Sequence, residues 1–289
     1  SGFIETTCDT INAPRASVKS LTLGGSIIGG TGEASISGTV LVDGPLGPVK
    51  VGGSIVGGYS LSPLLVPSFS GAIRATTIAK VTIAGSLIAP PSSDGTVGFE
   101  TGSIVADEIG PVIIGGDITG TATSRAQIIS GLGDGIASLK VGGSVAHARI
   151  LAGFFPASAF GSTAPTAIDL HARIGKVTVG GDWIGTDVVA GTSAGPDLVF
   201  GTADDTAMLN GVAGPHSRIA SVIIKGAAAG SPTVNGDHFG IVAQEIGKVQ
   251  VNGSRLPLTR GAGNDNLAAD DFHFVIGSSD DFVAREIPV

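Results

Sequence analysis

A nine-residue pattern returns along this chain: Ile-Gly-Pro-Val-Ile-Ile-Gly-Gly-Asp at 109–117, Ile-Ala-Ser-Leu-Lys-Val-Gly-Gly-Ser at 136–144, and Ile-Gly-Lys-Val-Thr-Val-Gly-Gly-Asp at 174–182. Looser copies start at Val18, Leu46, Ile78, Ile219 and Ile246. Consecutive starts lie 28, 32, 31, 27, 38, 45 and 27 residues apart. A unit with a floor of 27 residues and a variable excess is one structural turn plus insertions. That restricts the chain to architectures in which similar units stack on one another.

Each copy alternates. Val112 and Ile114, Leu139 and Val141, Val177 and Val179 share one face; Ile113, Lys140 and Thr178 share the other. Period-two alternation among β-branched residues predicts a strand. The paired glycines that follow, Gly24-Gly25, Gly52-Gly53, Gly115-Gly116, Gly142-Gly143 and Gly180-Gly181, predict a corner, on the argument that glycine reaches backbone angles closed to other residues. A second short apolar run follows the corner, as in Ile55-Val56 and Trp183-Ile184. A third precedes the next copy, at 73–75, 104–106, 128–129, 168–170 and 241–243. The expectation is an all-β fold: a parallel β-helix, or β-solenoid, of about three strands per turn and eight to nine rungs. Right-handedness follows from the rule for parallel crossovers. Eight rungs at about 4.8 Å each span roughly 40 Å.

Helical repeats do not fit 47 glycines and 15 prolines in 289 residues, since each costs a helix interior about 1 and about 3 kcal/mol respectively. The leucine and asparagine ladder of a leucine-rich horseshoe is absent. An antiparallel sandwich stays open, although it would not require similar sequences at corresponding corners.

The chain divides into an N-terminal cap or intersubunit segment at 1–16, a stack at 17–256 with loop insertions at 154–166 and 186–215, and a C-terminal segment at 257–289. That last segment repeats a lead-in. Val-Ala-Asp-Glu-Ile at 105–109 and Val-Ala-Gln-Glu-Ile at 242–246 return as Val-Ala-Arg-Glu-Ile at 283–287. A ninth rung is therefore expected to begin and not be completed. An unfinished rung is an open sheet edge that another chain can continue, and a head-to-tail contact of that kind propagates into a fibre. This reading expects Cys8, Phe282, Ile287 and Val289 at a subunit contact. A segment of a longer solenoid, or a tail folded back as a cap, are the competing outcomes. The start at Ser1 suits a processed secreted product.

Charged residues are only 14% of the chain, the hydrophobic fraction is 42%, and the net charge is −8. Mild acidity argues against nucleic acid as a partner, and no apolar run is long enough to span a membrane. Cys8, the single cysteine, excludes an internal disulfide and suggests a small cap residue, an intermolecular bridge or a free thiol. Asn252-Gly253-Ser254 fits a glycosylation sequon but lies at a repeat corner.

The acidic loops hold the candidate sites. Asp197, Asp204 and Asp205 surround a glycine turn, and closely spaced carboxylates suit calcium, which takes six to eight oxygens. Lys50, Lys80, Lys140 and Lys176 recur at ladder positions and read as solvated. His171 and His216 each precede a copy by three residues and read as turn residues. The five histidines show no metal-ligand spacing, paired catalytic carboxylates are not evident, and one Trp and one Tyr offer little surface for stacking sugars. Phe154, Phe155 and Phe160 form either an interface patch or a plug over one face of the stack; Phe272, Phe274 and Phe282 either pack under the last rung or dock into a neighbour.

The repeats, reading Ile-Gly-x-Val-x-Val-Gly-Gly-[Ser/Asp] over most of 17–256, resemble the glycine-rich β-solenoid segments of large secreted bacterial surface and filament proteins. The 197–205 stretch resembles the short calcium loops of such proteins, with Leu198 departing from their pattern. Gly261-Ala262-Gly263-Asn264-Asp265-Asn266-Leu267 is similar to one unit of the RTX nonapeptide family, which would place a metal at Asp265 with Asp270 or Asp271; Arg260 replaces that family's leading glycine. The resemblance implies an extracellular structural or adhesive role. The function expected is a non-enzymatic β-solenoid subunit that stacks with itself into a fibre or surface layer. Calcium is an optional cofactor and cell-surface glycans are a possible partner class. An adhesin or autotransporter-like passenger that displays its loops is the alternative, and a polysaccharide-active enzyme is third.

Overall fold

This computed structural model describes residues 4–6, 16–30, 37–58, 69–91, 100–156, 165–207, 215–230, 239–268 and 282–288. Every regular element among them is a strand, and none is a helix. The strand pairings fall into three parallel series. In the first, the repeated pattern pairs with its equivalent in the next copy: Leu21–Leu23, Pro45–Val51, Thr77–Ile83, the second halves of Ser103–Ile114 and Ala126–Val141, then Arg173–Val179, Arg218–Ile224 and Val249–Val251. The register does not drift: Val49, Val81, Val112, Leu139, Val177, Val222 and Val249 are successive partners, and all are buried. A slip of one residue would turn this whole ladder outward.

The second series consists of two-residue strands from Ile27–Ile28 to Ala228–Ala229. The third runs from Ile4–Thr6 through Ser37–Val42, Ser70–Arg74, the first halves of Ser103–Ile114 and Ala126–Val141, Ala148–Ala152, Asp187–Ala190 and Phe239–Ala243 to Phe282–Glu286. The chain is thus all-β and built on long parallel sheets, a layout compatible with a β-solenoid. Two expected boundaries move. The third run of the fifth copy is Ala148–Ala152, not 168–170. The insertion expected from 186 opens with the strand Asp187–Ala190, and its excursion starts at Gly191.

Inward side chains of the three series make one continuous apolar core. Sizes compensate between neighbours: Trp183, fully buried, is the partner of Ala228, and its Nε1–H donates to the Thr186 carbonyl at 3.0 Å. A large residue beside a small one fills the interior at constant density.

The corner glycines require a different explanation from backbone freedom. None of the ten has a positive φ. Their constraint is close approach. A Cβ on Gly180 would lie 2.0 Å from the Gly142 carbonyl oxygen, and one on Gly142 would lie 2.1 Å from that of Gly115. Gly52 and Gly115 are equally crowded by the carbonyls of Gly24 and Ala84. Backbone bonds such as Gly181 N–H to Gly143 O (2.8 Å) and Gly143 N–H to Gly116 O (2.9 Å) pass straight through the corner, so successive copies touch there without any side chain between them. A Cβ on Gly24 or Gly25, in the first copy, would meet nothing within 4 Å.

The residue after each glycine pair completes this corner. Ser26 Oγ accepts from Ser54 N–H, Ser54 Oγ from Ser86 N–H, and Ser86 Oγ from Asp117 N–H, each at 3.0 Å. Asp117 Oδ1 accepts from Ser144 N–H at 2.7 Å, Ser144 Oγ from Asp182 N–H at 3.0 Å, and Asp182 Oδ1 from Ala227 N–H at 2.9 Å. A side-chain acceptor from one copy satisfies a backbone donor in the next, which would otherwise be left unpaired at the turn. Ala227 offers no acceptor onward, and there the stacking of this corner stops.

It stops because the eighth copy carries Asn252-Gly253 in place of Gly-Gly. Both residues have positive φ, +46° and +80°, and Ser254–Arg255 returns antiparallel against Val249–Val251. Asn-Gly with positive φ at both positions is the two-residue hairpin turn. The sequon is therefore a chain reversal and not a further corner. Beyond it, Asn266–Ala268 lies antiparallel on Phe282–Glu286, which itself pairs parallel with Phe239–Ala243. The final lead-in is offset by two residues from its sequence alignment: Arg285, not Val283, stands beside Val242. A two-residue offset preserves the faces. Glu286 ends an inward row as Ala243's partner, and its carboxylate accepts from the backbone N–H groups of Ile246 (2.7 Å) and Asn264 (3.0 Å). Burial pushes its pKa up, against the pull of those bonds. Phe282 and Ile287 are each 1% exposed and packed in the chain's own apolar clusters, so neither is available as the expected surface contact. Cys8 and Val289 lie outside the described residues.

Candidate functional site

The outward side of the third series is where the molecule departs from a plain stack. Val105, Ile129, Leu151, Val189 and Val242 point away from the main core and are successive partners, yet none exceeds 5% exposure. Two excursions cover them. After Ala148–Ala152 the chain forms the antiparallel pair Phe154–Phe155 with Thr166–Ala167; after Asp187–Ala190 it forms Thr192–Ser193 with Thr206–Ala207. Phe154 and Phe200 meet edge to face, ring centres 5.7 Å apart at 88°, over the outward ladder, and Ile287 joins the same cluster. Of the two roles open to the phenylalanines, Phe154 takes that of a plug. Phe160, Phe272 and Phe274 are outside the described residues.

Beside this aliphatic ladder runs a polar one. Gln127, Arg149 and Asp187 are successive outward partners on neighbouring strands. Asp187, 3% exposed, accepts from Arg125 at 3.0 Å and from the Gly240 N–H at 3.2 Å, while the Arg125 guanidinium lies 4.9 Å from the centre of the Phe239 ring. The Arg149 Nε is buried and, among the described residues, without a hydrogen-bond partner. Burial, then the neighbouring Arg125 charge, pulls the Arg149 pKa down to about 10, partly offset by Asp187. Burial pushes the Asp187 carboxyl above the ordinary range, with both arginines drawing it back. Two arginines around one carboxyl leave at least one net positive charge in either state of Asp187.

A cavity of about 220 Å³ opens between the two excursions onto this group. It is lined by Arg149, by the apolar Phe154, Phe200, Leu198 and Pro165, and by Thr166 and Ser193 among others. No sequence signal marked it. Arg149 sits at an outward strand position in an insertion-bearing copy, and only the pairing that brings Asp187 and Arg125 beside it identifies it.

The three acidic residues expected to hold calcium each accept a hydrogen bond within their own loop. Asp197 Oδ1 accepts from Val199 N–H at 2.8 Å, Asp205 Oδ2 from Gly201 N–H at 2.7 Å, and Asp204 Oδ1 from the Thr202 hydroxyl. Leu198, the departure from the calcium-loop pattern, takes φ +59° and is exposed. Arg285 closes the loop against the end of the stack, donating to the Thr202 and Ala203 carbonyls. Asp265 is likewise a loop organiser, accepting from Thr259 N–H with both oxygens at 3.1 and 2.8 Å. Among the described residues, no three of His, Cys, Asp and Glu are grouped to hold an ion; Asp270 and Asp271 lie outside them. His171 bonds the Pro215 carbonyl through Nδ1 at 2.6 Å, a turn contact, and His216 is exposed. Lys50, Lys80, Lys140 and Lys176 are exposed.

Asp205 adds a pH response. Burial raises its pKa from 3.8 to about 7, although the Gly201 bond pulls the other way, and its Oδ1 is buried without a partner. A carboxyl with a raised folded-state pKa contributes stability in full below its unfolded value and loses it as pH rises through the folded value. The excursion over the outward ladder is therefore expected to loosen between about pH 4 and about pH 7. Thermal melts of Asp205→Asn and wild type check this: the two should agree below about pH 4, and the variant should melt higher at pH 8. Parallel curves at both pH values would exclude Asp205 as the source.

Compared with family models, curated proteins and solved structures, the chain matches none. Among the described residues no helix is long and apolar enough to cross a membrane.

Proposed function

We propose that the three parallel series close into a right-handed β-solenoid of eight to nine rungs, and that this solenoid is a non-enzymatic extracellular scaffold displaying its loop-built face for binding, in the manner of an adhesin passenger. The likeness of its repeats to secreted bacterial surface proteins belongs to the same proposal. What carries the display reading over a self-stacking fibre is an end covered on two of its three series. Ser254–Arg255 and Asn266–Ala268 run antiparallel along the last parallel strands, where a following subunit would have to add its own. The excursions, by contrast, are tied down by aromatic packing and by Arg285, as a surface meant to keep its shape would be.

Axial assembly is the second reading, and the opposite end favours it. Among the described residues nothing pairs with the outer edge of Leu21–Leu23 or Ile27–Ile28, and Ile28 is 62% exposed. Sedimentation velocity with electron microscopy, with and without a chelator, separates the two. Display predicts monomeric particles indifferent to chelation. Filaments that grow with concentration would replace it with the fibre, and their dissolution by chelator would bring calcium back.

A further inference from the structure

The cavity between the excursions holds a cation that the fold's own carboxyl only partly offsets. Arg149 is an outward strand residue whose Nε is buried and unpartnered, in a group carrying excess positive charge. A buried polar group without a partner costs stability, and an aliphatic residue at this position would pack against Phe154 and Phe200 with no such cost. The guanidinium lines a cavity of about 220 Å³ whose remaining wall is mainly apolar. At ~30 Å³ per water, that is room for about seven water molecules, too little for a run of sugars or a peptide segment. One half-buried cation, a mainly apolar wall and a small volume specify a ligand with one anionic group and a compact hydrocarbon body.

We propose that this cavity is a binding site for a small carboxylate with an apolar body, its carboxylate on Arg149 and its hydrocarbon against Phe154, Phe200 and Leu198. The site rests on the display reading, since the two excursions that build it are the surface which that reading assigns to binding. Net charge −8 makes such a site stand out, because the rest of the molecule repels small anions.

Calorimetric titration of the full chain with benzoate, and with benzamide as its uncharged counterpart, tests the assignment. Benzoate should bind at one site per chain and benzamide at least about tenfold more weakly. Arg149→Met should fold, melt no lower than wild type and lose benzoate binding by at least about tenfold. If Arg149→Met does not fold, Ala194→Phe blocks the cavity from its wall with Arg149 in place and should abolish binding. Equal binding of benzamide, benzoate binding that survives either folded variant, or no benzoate binding at attainable concentrations overturns the proposal. Sedimentation decides the display reading separately. A filament that binds benzoate keeps the site and removes the display, whereas a monomer that does not bind it removes the site alone.

Discussion

Alanine at Gly180 is expected to lower stability by about 3 kcal/mol or more, whereas alanine at Gly24 should leave it unchanged or raise it by up to ~1 kcal/mol. The two positions are equivalent in sequence and neither has a positive φ. They differ only in what is stacked before them. The Gly180 Cβ would sit 2.0 Å from one backbone atom and 2.9 Å from another, and backbone cannot rotate away as a side chain can. Relief requires prising two copies apart, which stretches the corner bonds on either side. Gly24 has open space, and there alanine only restricts the unfolded chain. Urea unfolding of both variants reads the contrast. Equal, small effects would mean that successive corners do not approach as closely as described.

Removing Asp187 is expected to be as damaging for an electrostatic reason. Asp187→Ala leaves Arg125 and Arg149 facing each other in a buried setting with their counter-charge gone, at a cost of about 3–5 kcal/mol. Replacing Arg149 by Met in the same chain should recover part of that loss, because the repulsion disappears with it. Thermal melts of the single and double variants form a cycle whose coupling is the quantity of interest. Strictly additive losses would show that Arg149 and Asp187 do not sense each other, and would remove the electrostatic account of the cavity.

The repeat made the parallel sheets legible because stacking imposes the same demand on every copy. Val112, Leu139 and Val177 share a column, and any sequence with that periodicity announces it. The serine or aspartate after the glycines was visible too, as part of the pattern, but its role was not. Only the stacked geometry shows that its oxygen reaches the next copy's N–H. The glycines are demanded by close approach and not by positive φ, two causes that leave the same residue in the sequence. The Asn252-Gly253 reversal was within reach: it is a strong hairpin signal that its resemblance to a repeat corner concealed. Arg149, Asp187 and Arg125 were beyond reach. They belong to different copies, and each alone is an ordinary polar residue at an outward position. The fate of the excursions was equally hidden, because period-two alternation does not say which outward positions a later segment will cover. Val189 and Leu151 look like exposed residues until Phe154 and Phe200 are placed on them.

The bonds joining successive copies all lie along one direction, with the row at Ile4–Thr6 at one extreme and the row at Phe282–Glu286 at the other. A pull applied across those extremes passes through every row in series, so the weakest row parts first. When that row parts, one copy pays out while the rest of the stack holds. Each step frees 27 to 45 residues, about 100 to 160 Å of slack at ~3.6 Å per residue. Under tension such a molecule lengthens in discrete events and dissipates work at each one. It behaves as an extensible tether whose excursions decide how far every step travels.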